Sequence, residues 1–172
     1  LNGETPLVYV DVLERLERDG VRYVVIGGVA VVLHGYVRPV FDLDIVVDRA
    51  PDEANRAMRV LMGLGFVPTI PLPLSMLTVL RMFDSSNREI DLFVRYQIPF
   101  EELWPNAVRK RVGESMVRVA SLEHVIREKR RQGRPHDLRD VEGLLACSKQ
   151  EGLDAVSDAQ AESGAKVDVD DH

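Results

Sequence analysis

Tyr23-Val24-Val25-Ile26-Gly27-Gly28-Val29-Ala30-Val31-Val32-Leu33 and, thirteen residues after the glycine pair, Asp42-Leu43-Asp44-Ile45-Val46-Val47 decide how the rest of this chain is read. Tyr23–Ile26 is a continuous apolar run of strand length, the pattern of a buried strand. Two glycines end it, and Val29–Leu33 reads as a short helix opening at them. Asp42 and Asp44 stand at the head of a second apolar run, Ile45–Val47, and so at a strand end. On a strand, residues i and i+2 point to the same face, roughly 6.5–7 Å apart along the chain. The two carboxylates therefore share a surface that faces the glycine-opened helix. Hard divalent cations take carboxylate oxygens and keep positions for phosphate. The pattern is that of a site for a divalent metal and a phosphate.

Outward from this centre, apolar and breaker residues divide the chain into short elements. Val8–Arg18 has helical spacing at Val8, Val12, Leu13 and Leu16, stopped by Asp19-Gly20. The connection Gly35–Pro39 leads to the second strand, about Leu43–Val47. Pro51-Asp52-Glu53 opens a third helix, since proline suits the first turn and acidic side chains complement the dipole there. Phe66–Pro73 is proline-rich and is expected to be a surface loop. Thr78–Phe83 and Glu89–Val94 read as a strand pair joined by a turn over 84–88. Phe100–Ala107 reads as a short helix broken at Pro105, and Val108–Val112 with Met116–Val119 as a hairpin. Two helices follow, Leu122–Arg131 with Ser121 as cap, and His136 to about Cys147. The expected fold is α/β (α+β), a mixed sheet flanked by helices with a C-terminal helical pair.

Composition narrows the class. The 172 residues carry a net charge of −6, but residues 150–172 hold seven acidic residues against one lysine, so residues 1–149 are neutral. That acidic segment, Asp168–Asp171 included, lacks apolar periodicity and is expected to be a disordered tail. One domain is expected over 1–149, with its core over about 22–120 and the C-terminal helices over about 121–147. Apolar runs are short and interrupted, which argues against a membrane span. Leu1–Pro6 lack a basic region and an apolar signal core. The single cysteine, Cys147, offers neither a disulfide nor a thiolate cage, and a reducing, cytoplasmic setting is expected. His34, His124 and His136 are too dispersed for a zinc site.

A two-metal site needs a third carboxylate on the same surface. Asp91, in Glu89-Ile90-Asp91-Leu92-Phe93, interrupts an otherwise apolar strand, where an unpaired charge is costly and a partner is implied.

Together, Gly27-Gly28-Val29-Ala30, His34-Gly35, Arg38 and Asp42-Leu43-Asp44 resemble the signature of the nucleotidyltransferase superfamily typified by DNA polymerase beta. More narrowly, they resemble small bacterial nucleotidyltransferases, including the abortive-infection (AbiEii-type) toxins of toxin–antitoxin pairs. The family pattern reads Arg-x-Thr-x-Asp-x-Asp, and Val40 stands here where the family has Thr. The match covers residues 22 to about 145.

This resemblance implies transfer of a nucleoside monophosphate from an NTP, with Mg²⁺ or Mn²⁺ on Asp42, Asp44 and Asp91. It implies that Gly27 and Gly28 approach the triphosphate and that Asp91 helps to activate the acceptor hydroxyl. The same resemblance groups Arg38, Lys129 and Asp137 with the nucleotide-binding residues. Lys129 would reach a phosphate or the leaving pyrophosphate, and Asp137 would be its charge partner. Acceptors in such a family are an RNA 3′ end, tRNA included, a protein hydroxyl, or a small molecule such as an antibiotic. An antitoxin protein is an implied partner. A non-catalytic binding module on the same fold is the alternative.

Arg127, Lys129, Arg130, Arg131 and Arg134 put five cations within eight residues. Such runs are mostly solvated helix faces, although one beside a nucleotide pocket would attract a triphosphate or RNA.

Overall fold

The computed structural model of the chain describes residues 8–164. In chain order the elements are α1 (Val10–Arg18), β1 (Tyr23–Ile26), α2 (Gly27–Leu33), β2 (Asp42–Val47), α3 (Pro51–Gly63), β3 (Val67–Pro68), β4 (Val79–Phe83), β5 (Glu89–Phe93), α4 (Phe100–Asn106), β6 (Val108–Val112), β7 (Ser115–Val119), α5 (Leu122–Gln132) and α6 (Pro135–Gly164). Among the described residues the strands form one sheet in the order β3-β4-β5-β2-β1-β7-β6.

The most apolar strands lie at its centre. All four residues of β1 are buried, the signature of a strand covered on both faces. β2 pairs antiparallel with β1 on one side and parallel with β5 on the other. β7 runs parallel to β1, and β6 closes that side as an antiparallel hairpin partner. Val24, Val25, Leu43, Ile45 and Leu92 are wholly excluded from water. Each contributes about 1.5–3 kcal/mol by burial. Helix α1 places Val12, Leu13 and Leu16 against this core and packs on α3 and the β6–β7 hairpin. Helix α2 leans on β1 and β2 and meets α5.

Mixed α/β architecture and the C-terminal helix pair agree with the sequence reading, and element ends differ by a few residues at most, except in two places. Within the expected loop Phe66–Pro73, Val67–Pro68 forms the short edge strand β3 against Phe83 and Met82. An edge position is where a residue without an N–H can stand in a sheet. The final helix does not stop near Cys147 but continues to Gly164. No proline interrupts residues 148–164, and Ala, Glu, Gln, Lys and Leu alternate there with weaker helix formers, so a helix already anchored at its start propagates. Residues 165–172, which include Asp168–Asp171 of the expected tail, lie outside the described residues. Among the described residues no helix is long and apolar enough to cross a membrane.

What anchors α6 is a close approach. The Tyr36 ring lies where a Cβ on Gly143 would stand. Gly143→Val is therefore expected to lower unfolding free energy by about 1–3 kcal/mol through overpacking. Chemical denaturation of Gly143→Val, Tyr36→Ala and the double variant checks this, the double losing less than the sum of the two single losses.

Candidate active site

The site is assembled by strand register. Asp42 and Asp44 point to one face of β2, while Leu43 and Ile45 on the other are fully buried. In the parallel pairing with β5, Asp44 stands opposite Asp91 and Asp42 opposite Glu89. One oxygen from each of Asp42, Asp44 and Asp91 lies within 4.8 Å of the others. The Tyr9 hydroxyl fixes the start of both strands: it sits 2.9 Å from the carbonyl oxygens of Phe41 and Glu89 and accepts the Glu89 N–H at 3.2 Å.

Facing this triad, Gly27 opens α2 with φ +64°, and a Cβ there would collide with Oδ2 of Asp44. Only glycine meets both conditions. The Arg38 guanidinium lies over the same turn, its Nη2 3.1 Å from where a Gly28 Cβ would be. Val40 packs beside it against the core, so an apolar contact takes the place of the family hydroxyl.

Packing three carboxylates together has an electrostatic cost. Burial, and then the charges of Asp42 and Asp91, push the Asp44 carboxyl up to about 7, with Lys129 and Arg81 pulling the other way. Asp91, on a buried strand, holds Arg81 in a two-pronged pair: Nε to Oδ1 at 2.9 Å and Nη2 to Oδ2 at 2.8 Å. Arg81 is the residue directly opposite Asp91 on β4.

A second cluster ties the C-terminal helices to the glycine turn. Lys129 on α5 is buried, with Nζ 2.9 Å from Asp137 and 3.0 Å from Asp140 at the head of α6. Arg134 donates to Asp137 at 2.6 Å, and Arg38 donates to Asp140 at 2.9 Å. Burial by itself would raise the Asp137 carboxyl, but hydrogen bonds from Arg134 and Lys129 hold it down at about 2.

Both clusters line one cleft of about 710 Å³. Gly27, Gly28, Arg38, Lys129 and the three aspartates line it, together with an apolar lobe of Phe93, Tyr96, Ile98, Leu103 and Val125. The size is that of a small-molecule site, and its walls are mixed, a strongly charged side formed by the two clusters facing the apolar lobe.

The structure thus brings together Gly27, Gly28, Arg38, Asp42, Asp44, Asp91 and Lys129 in the cleft. Asp137 stands just behind as the charge partner of Lys129. Asp140 and Arg81 complete the two clusters and were not picked out as site residues in the sequence. An i+3 step from Asp137 was a legible signal for Asp140; the cross-strand register that seats Arg81 was not. His34 ends α2 with Nε2 2.7 Å from the Ala120 carbonyl, a packing role. Of the basic run, Arg127 and Arg131 pair with Glu102 and Glu128.

Three carboxylates converging on one point form an all-oxygen donor set, the kind that suits Mg²⁺ or Mn²⁺.

No family model and no curated protein sequence matches this chain. Solved structures do, through the fold. One is a lincosamide antibiotic adenylyltransferase, LnuA, with lincomycin bound: 16% identity, TM-score 0.60, covering 80% of this chain and 94% of that one. Another is ANT(2'')-Ia in complex with adenylyl-2''-tobramycin: 14% identity, TM-score 0.60, covering 94% and 100%. An antigenic nucleotidyltransferase-like protein from Paracoccidioides brasiliensis is 20% identical, at TM-score 0.55, covering 81% and 74%. The chain has the nucleotidyltransferase fold.

Two outcomes follow from the electrostatics. Asp44 binds its proton more tightly in the fold than in the unfolded chain, where 3.8 is ordinary. Stability of the metal-free protein should therefore fall as pH rises from that value to about 7, and stay low above it. Thermal melts in chelator at about pH 5 and about pH 8 should show this, and Asp44→Asn should flatten the difference. Lys129→Met leaves Asp137 and Asp140 short of a cation and should cost about 3–5 kcal/mol, read by urea unfolding.

Proposed function

We propose that this chain is a divalent-metal-dependent nucleotidyltransferase that moves a nucleoside monophosphate from an NTP to a hydroxyl acceptor. The observation that carries the reading is the convergence of Asp42, Asp44 and Asp91 opposite the Gly27-Gly28 turn. These three aspartates would hold Mg²⁺ or Mn²⁺, which supplies charge neutralisation at the phosphates and a lowered pKa at the acceptor hydroxyl.

The rest of the work falls to the chain's own groups. The side-chain-free Gly27-Gly28 turn lets the triphosphate approach the backbone, with the Arg38 guanidinium beside it. Asp91 takes up the proton of the acceptor hydroxyl, whose oxygen attacks the α-phosphorus in line. The bond from the α-phosphorus to the bridging oxygen breaks, and pyrophosphate leaves. Lys129, Asp137 and Asp140 hold Arg38 and the C-terminal helices in place around the nucleotide. Catalysis is mainly positioning and electrostatic stabilisation.

A small-molecule hydroxyl is the acceptor we favour. The cleft has an apolar lobe next to Asp91, and two of the similar structures are of enzymes named for, or bound with, antibiotic substrates or products. An RNA 3′ end such as that of tRNA, or a protein hydroxyl, is the second reading. It takes support from the likeness to abortive-infection toxins and from the exposed Arg130, Arg134 and Arg139, of which Arg134 and Arg139 line the cleft. In that setting an antitoxin protein would be the partner. Either acceptor fits the cytoplasmic setting expected from the sequence.

The test incubates wild type and Asp42→Asn with each α-labelled NTP, Mg²⁺ or Mn²⁺, and a cell extract. Label should enter a small molecule with wild type and fall by about two to three orders of magnitude with the variant. Label in RNA or protein would select the second reading. No transfer and no NTP binding would leave a non-catalytic module on this fold.

A further inference from the structure

We propose that Arg81 is the built-in counter-cation of the acidic triad: it occupies Asp91 while the site is free of metal and passes to Glu89 when a divalent ion binds. The proposal rests on the metal-site reading above and adds a residue that sets the affinity of that site.

Three observations carry it. Arg81 holds both oxygens of Asp91, Nε on Oδ1 at 2.9 Å and Nη2 on Oδ2 at 2.8 Å. A carboxylate gripped through both oxygens has its inward lone pairs committed. Any cation that also uses Asp91 is left the outer lone pairs, with a positive charge a few ångströms away. The guanidinium also has a second acceptor already in reach, since Nε lies 2.9 Å from Oε1 of Glu89. Glu89 and Asp91 are two apart on β5 and share a face, so a small swing moves Arg81 from one to the other without breaking the fold. Finally, the Arg81 side chain is 51% exposed while that of Asp91 is 10% exposed. The arginine thus approaches Asp91 from the solvent side, where its guanidinium can exchange partners, whereas the aspartate is held in the sheet.

A plain cross-strand ion pair would explain the contact between opposed residues on β4 and β5. It would not require the pair to close on a carboxylate of the triad, nor a second carboxylate to stand within reach of the same nitrogen. Exchange of the guanidinium for a metal ion explains both. Asp91 is also kept paired when no ion is bound, which avoids an uncompensated charge on a buried strand.

Mn²⁺ binding to the full chain, followed by the free-ion electron paramagnetic resonance signal in the absence of NTP, tests this directly. Arg81→Met should bind Mn²⁺ about tenfold more tightly than wild type, as expected for removing a competing charge beside the site. Arg81→Lys keeps the charge without the two-pronged grip. It should lie between the two and serves as the test if the methionine variant does not fold. Glu89→Gln should weaken Mn²⁺ binding in the wild-type background and have little effect in the Arg81→Met background, because the hand-over needs both partners. Equal or weaker Mn²⁺ binding by the Arg81 variants would overturn the proposal, as would an effect of Glu89→Gln that is the same in both backgrounds. If wild type and Asp42→Asn bind Mn²⁺ equally, the metal-site reading itself fails and takes the proposal with it.

Discussion

Three carboxylates converging within 4.8 Å repel one another, and much of the surrounding structure exists to hold them there. Strand pairing supplies the force. Asp44 and Asp91 are opposite partners in a parallel ladder between two of the most buried strands, so they cannot separate without breaking the centre of the sheet. The remaining repulsion is met by proton uptake on Asp44 and by the Arg81 grip on Asp91. A site this unfavourable without a bound cation is one that favours binding a cation. The three residues weaken the fold where they stand, a local conflict of the kind expected at functional sites.

The glycine turn answers a second constraint. A side chain at Gly27 would occupy the space of the Asp44 carboxylate, so the turn that opens α2 and the strand that carries Asp42 and Asp44 are fitted to each other. Arg38 and Asp140 extend this fit to the C-terminal helices. Through them the buried group of Lys129, Asp137 and Asp140 becomes a hinge post: it fixes α5 to α6 and, by way of Arg38, fixes both to the turn. Charge pairs of this kind add little net stability compared with apolar packing, but a missing member is costly. Their value here is geometric.

The sheet centre, the glycine turn and the three aspartates were legible in the sequence because each depends on local pattern. Apolar runs of strand length identify β1 and β2, a period of two puts Asp42 and Asp44 on one face, and a charge in an apolar strand marks Asp91. Lys129 and Asp137 were expected as charge partners only through the resemblance of the sequence to a known family, since they lie on separate helices, α5 and α6. β3 was not legible, because two residues, one of them a proline, carry no periodic signal. Nor was the reach of α6 to Gly164, since a polar, acidic segment with Gly152 inside it reads as a coil until a docked helix precedes it.

What the sequence alone determined, then, is the three aspartates, the glycine turn and the order of the main elements that carry them, all set by interactions between residues close along the chain. What only the tertiary structure decided is which groups neutralise which. Arg81 faces Asp91 through the β4–β5 register, Arg38 meets Asp140 across 102 residues, and the Tyr36 ring seats α6 against Gly143. Those pairings depend on register and on close packing between distant segments, and neither leaves a mark in local composition or period.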